Sequence, residues 1–94
     1  MLLQCPECEG DYLHHFKVEV FNRTIEDSTE GVHVIVTTED GEETEVTQNG
    51  DIRNNPSERR NGILVHFWCE TCDCKPIFCI EQHKGNTLMA VLWK

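Results

Sequence analysis

The sequence predicts an all-β domain, mainly antiparallel, with about six strands in hairpins. Three observations carry that expectation. Apolar and polar residues alternate with a period of two in several short runs, turn-forming dipeptides separate those runs, and only one short piece near 56–61 has a helical signature. Two C-x2-C pairs, Cys5-Pro6-Glu7-Cys8 and Cys69-Glu70-Thr71-Cys72, stand on either side of most of these strands.

Taken in order, Glu9-Gly10-Asp11 reads as a turn, with Gly10 free to adopt positive φ. Tyr12 to Phe21 then alternates Phe16, Val18 and Val20 against Lys17 and Glu19, the pattern of a half-buried strand; His14 would share the first face and His15 the second. Residues 22–31 are polar and read as loop. Around Asp40-Gly41 a three-residue loop, Glu39-Asp40-Gly41, sets Val34 opposite Val46 and Val36 opposite Thr44 and keeps one face apolar, giving strands at about 32–38 and 42–48. Residues 49–62 are dense in turn formers, and Asn55-Pro56-Ser57-Glu58 has the capping pattern of one or two helical turns, with Gly62 to end them. Ile63 to Trp68 is apolar on both faces and reads as a central strand covered on each side. Around Gly85-Asn86 the last two runs form a hairpin that sets Phe78 against Trp93, Ile80 against Val91 and Cys79 against Leu92.

Ninety-four residues make one domain, small enough that a supplementary staple is expected. The N-terminal residues lack the basic and apolar regions of a signal peptide, and no stretch approaches a membrane span, so a cytoplasmic, membrane-free setting with reduced thiols is expected. Paired C-x2-C motifs there read as metal ligands: Cys5, Cys8, Cys69 and Cys72 fit the all-thiolate tetrahedron favoured by Zn(II), one structural ion clamping about 60 intervening residues. Cys74, two residues beyond Cys72, is an alternative ligand. Cys79 lies within a strand and reads as a small buried hydrophobe. Cys74, Cys79 and His83 as a second metal site, and Cys74 or Cys79 in a thiol-based redox or metal-transfer role, are the competing readings. His66 on the central strand reads as a hydrogen-bonded core residue.

At the two knuckles the chain resembles the zinc-ribbon class of rubredoxin-like knuckles. The resemblance implies a zinc site and a β fold, and the long separation between knuckles implies an inserted or elaborated β domain. More loosely the whole chain looks like small bacterial and phage-encoded ribbon proteins, a likeness that implies no reaction.

The formal charge is −9, and four lost thiol protons with one bound dication take it to −11. That disfavours non-specific nucleic-acid binding, which depends on basic side chains. Between Glu26 and Asp51 there are nine acidic residues and no Lys or Arg, whereas Arg53, Arg59 and Arg60 gather in the next loop. The expected function is a non-enzymatic binding module. Its working surface would be that arginine loop with the Gln82, His83, Lys84 turn, facing an unidentified partner, an acidic protein surface first and a short nucleic-acid segment second. Oligomeric state is open, an exposed strand edge favouring pairing and the charge opposing it.

Overall fold

The computed structural model describes residues 2–39 and 43–92, with side chains throughout except Glu39, Glu43 and Thr44. The described residues form six strands: β1 (Leu13–Arg23), β2 (Gly31–Glu39), β3 (Glu43–Asn49), β4 (Gly62–Cys69), β5 (Ile77–His83) and β6 (Asn86–Leu92). They make one antiparallel sheet in the order β3-β2-β1-β4-β5-β6. Two three-stranded meanders are thus joined by a single long-range pairing, β1 with β4. Among the described residues no helix is long and apolar enough to cross a membrane.

The registers align side chains in rows across all six strands. One row reads Val46, Val36, Val18, Val65, Phe78 and Val91; the next reads Gln48, Val34, Val20, Ile63, Ile80 and Met89. These residues share one face, and no layer of the described residues buries it: the interior members are half-buried, while Val46 and Met89 are 62% and 67% exposed. The opposite face holds the core. Phe21, Leu64, Ile77 and Cys79 are buried there beneath Ile52, which the loop between β3 and β4 lays over them.

The buried face is therefore the one the alternation of Val18 and Val20 makes look polar. Glu19 lies on it at 6% exposure, accepting hydrogen bonds from His33 Nε2 (2.9 Å, to Oε1) and His66 Nε2 (2.6 Å, to Oε2). His33 also stacks on Phe21, ring centroids 4.3 Å apart. Burial works to raise the Glu19 carboxyl, but the His66 bond, the Lys17 charge and the His33 bond outweigh it and hold it below its ordinary value of 4.5.

Both hairpins differ from the expected register by two residues. Val36 pairs with Val46 and Val34 with Gln48, and the pair Glu39–Glu43 closes the β2–β3 hairpin; Asp40 and Gly41, where the turn was expected, lie outside the described residues. In the second hairpin Phe78 pairs with Val91 and Cys79 with Ala90, and His83 and Asn86 flank a two-residue turn of Lys84 and Gly85. Lys84 and Gly85 have φ of 50° and 85°, the double left-handed conformation that matches strand twist, so the turn sits one residue earlier than Gly85-Asn86. An even shift keeps every side chain on its expected face. A β-bulge at Phe16 does not: beyond it His15 pairs with Phe67 and His14 with Trp68, which puts His15 on the Val18 face and His14 on the Lys17 face.

No helix forms near 56–61. Asn55 Oδ1 accepts from the Ser57 amide, Asn55 Nδ2 donates to Arg60 O, and Ser57 Oγ accepts from the Arg60 amide. These side-chain bonds satisfy the groups a helix would have paired, and they hold the loop as successive turns. Gly62 is required for close approach rather than helix termination: a Cβ there would stand 2.5 Å from Asn55 Oδ1 and 2.6 Å from Pro56 Cγ. Likewise Glu9, not Gly10, takes the left-handed conformation, at φ 60°.

Replacing Glu19 with alanine strands two buried histidine donors and is expected to cost about 3 kcal/mol or more at pH 7 in urea unfolding. Because the folded carboxyl lies below 4.5, its contribution is complete above that value and is lost as pH falls through the folded pKa. The stability gap between wild type and Glu19→Ala should therefore narrow in acid, whereas a pH-independent gap would mean that Glu19 acts only by packing.

Candidate metal centre

Each knuckle is a consequence of how its strand is entered or left. Before β1 the chain folds back on itself, the Cys5 amide donating to Gly10 O and the Glu9 amide to Cys5 O, both at 2.9 Å. After β4 the Cys69 amide donates to Cys74 O at 3.1 Å, continuing the β4–β5 ladder around the second knuckle. The two ends are fastened where the Glu70 amide donates to Tyr12 O at 3.0 Å, an extension of the β1–β4 pairing. Gly10 is packed against this junction: a Cβ would lie 2.9 Å from Thr71 Oγ1 and 3.2 Å from Cys8 Sγ.

The four sulfurs of Cys5, Cys8, Cys69 and Cys72 consequently lie within 4.8 Å of one another. Cys5 Sγ is 3.7 Å from Cys72 Sγ, and Cys8 Sγ is 3.5 Å from Cys69 Sγ. A tetrahedron with metal–sulfur bonds of ~2.3 Å has edges of ~3.8 Å, so the donor set fits a tetrathiolate ion. No disulfide joins any of the six cysteines, and these sulfur separations are far beyond a disulfide bond of ~2.05 Å. Cys5 and Cys69 are buried, Cys72 is half-buried and Cys8 faces solvent.

The thiols are electrostatically unequal. Desolvation opposes ionisation of Cys5, but the amides of Cys8 and Glu7 and the neighbouring thiols Cys69 and Cys72 bring it down to about 6. Cys72 receives the Cys74 amide, yet burial and the three facing sulfurs push it up to about 12. Cys8, bonded by the Gly10 amide, is also raised by burial and by Cys69 and Cys5. Negative charge accumulates readily on the first sulfur and is resisted on the last; a dication at their centre would remove that repulsion. One such group of metal-ligating side chains occurs among the described residues.

Cys74 and Cys79 occupy different places. Cys74 is buried against Cys5 and Cys69, outside the group of four, and its backbone amide bonds the Cys72 sulfur. Cys79 belongs to the separate core with Phe21 and Leu64, where burial raises its thiol. His83, at the exposed β5–β6 turn, is remote from Cys74's cluster, so the second-site reading of Cys74, Cys79 and His83 has no common centre. Comparison with known proteins returned no matching family model, no matching curated protein and no matching solved structure.

Structure also places the arginine loop. Arg59 pairs with Asp27, Arg60 with Glu26 and Arg53 with Asp51. Arg23 anchors the loop from below, its guanidinium donating to the carbonyls of Ser28, Ser57 and Arg60. Ser57 Oγ donates to Gln82 O, which brings Pro56, Ser57, Glu58 and Arg59 alongside Gln82 and His83 around a shallow cleft of about 320 Å³. His66 is hydrogen-bonded within the sheet as expected, but the sequence did not point to its partner Glu19 or to the burial of His33. The available signal was Ile52, a lone apolar residue in a polar loop that needed a partner face.

Serine at Cys69 removes a sulfur from the buried side of the group and should lower metal content, read by elemental mass spectrometry, from one equivalent per chain to a small fraction. Serine at Cys74 should leave it at one.

Proposed function

We propose that this protein is a zinc-stapled, non-catalytic binding module, an elaborated relative of the zinc-ribbon class. The observation that carries the reading is the closure of the sulfur group: four cysteines fill a tetrahedral shell and leave no position for the bound water that hydrolytic zinc requires. Softness and geometry together favour Zn(II) in a reducing setting. Its role is then structural, because the ion would hold the start of β1 to the end of β4. Metal binding by such sites is worth ~10–16 kcal/mol in small zinc-binding peptides, comparable to the whole net stability of an ordinary domain at ~5–15 kcal/mol.

Burial of Cys74 and Cys79, and the upward push on both thiols, favour this reading over a thiol-based redox or metal-transfer role, since reactive cysteines need accessible thiolates. For binding, the surface best supported is the cleft edge formed by Arg59 and the Gln82, His83, Lys84 turn. Arg60 lines the neighbouring hollow that also touches Gln82, and Arg53 stands elsewhere on the same loop, paired with Asp51. The guanidiniums of Arg53 and Arg59 hold acidic side chains of this chain at an exposed surface, an arrangement that an acidic partner can compete for at small cost.

Zinc-free protein prepared by chelation under denaturant should lose its β circular-dichroism signal at neutral pH and recover it on adding one equivalent of Zn(II); an unchanged spectrum and melting point would overturn the structural role. Reversing Arg59 and Arg60 to glutamate should abolish co-purification of acidic partners while metal content stays at one equivalent, and unchanged co-purification would remove that surface from the reading.

A further inference from the structure

The two side-chain rows described above give the sheet a face with an unusual charge distribution. The charged strand residues with described side chains, Lys17, Glu19, Arg23, Glu45 and Glu81, all stand on the opposite face. The flanking positions on the Val18 face are His15, Val32, Thr38, Asn22, Phe67, Gln82 and Thr87, of which only the His15 imidazole is titratable. Among the described side chains, a chain of −9 therefore confines its carboxylate and Lys/Arg charges on the strands to one side and presents the other as a largely apolar plane.

We propose that two copies of this chain pack face to face through that plane. Charge selects the occupant. Copies of so acidic a protein repel one another by any charged surface, but this face brings no carboxylate, Lys or Arg charge to the contact. Facing sheets pack about 10 Å apart, so the strand charges on the two outer faces would stand on the order of 20 Å from each other, beyond two Debye lengths of about 8 Å. A charged partner, conversely, would find nothing to pair with. Area agrees: six strands at about 4.8 Å spacing span roughly 29 Å, and about 20 Å of strand length gives a footprint of roughly 600 Å² before side-chain relief. That approaches the ~800 Å² per partner of a standard stable interface. The rows are rich in β-branched residues, whose side chains interdigitate in aligned sheet packing. Each sheet would then be covered on both faces, by its own loop on one and by the second copy on the other.

Sedimentation equilibrium of the zinc-loaded full chain should give about twice the chain mass of 10.9 kDa at roughly 100 µM, above the µM end of the affinities spanned by interfaces of this area. The association should change little from about 0.15 M salt upward and should weaken at low salt, where the screening length grows beyond the separation of the outer faces. Val65→Lys should return the protein to the chain mass with its circular dichroism retained. Thr47→Lys, which adds the same charge on the opposite face of β3, should leave the dimer intact. A wild-type protein at the chain mass throughout overturns the proposal; so does a Val65→Lys protein that still dimerises, since the copies would then be joined elsewhere, as by strand edges. Should Val65→Lys fail to fold, the near-isosteric Val36→Thr is expected to weaken association tenfold or more, and an unchanged association constant would overturn the proposal equally.

Discussion

The pairing of β1 with β4 is the contact on which the rest of the molecule depends. Every other strand pairing is a local hairpin, formed between neighbours in sequence. This one joins strands separated by both outer strands of the first meander and the long loop after them. Its closure entropy grows only slowly with length but must still be offset. The sequence concentrates its strongest groups along that seam. The four sulfurs close one end; Glu19 reaches across to His66 in the middle; Phe21 opposite Gly62, and the Arg23 amide donating to Asn61 Oδ1, close the other.

Ordering along the seam explains why the knuckles can lie so far apart in sequence. The first knuckle precedes the innermost strand of one meander, and the second follows the innermost strand of the other, so about 60 residues pass between them without moving the sulfurs apart. The outer strands are additions to a pair already aligned. The Phe16 bulge belongs to the same arrangement: by changing the phase of β1 next to the sulfur group, it turns His14 to stack on Trp68 and bond Glu70.

Strand content, the number of strands and the four grouped cysteines were legible because each rests on local signals: alternation, turn residues and the C-x2-C spacing. Register was less so. In both hairpins the true pairing lies two residues from the expected one, since apolar matching is nearly indifferent to even shifts and only the backbone at Lys84 decides the second turn. The location of the core was the larger gap. Val18 and Val20 outweigh Glu19 in any reading of alternation, but burial is decided by where Ile52 and its loop come to rest, a tertiary fact. The helix expected near 56–61 failed for a related reason: Asn55 and Ser57 cap successive turns instead of starting a helix.

One consequence of the meander order concerns time rather than shape. β3 and β6 are outer edges, and β6 is exposed along its whole length, whereas β1 and β4 each have two neighbours and share the seam's side-chain ties. Opening therefore proceeds from the margins inward. Amide protons at the margins would exchange through shallow local excursions and those of the two inner strands only through separation of the meanders. The sheet is in this sense a graded solid, soft at its rim and hard along one line.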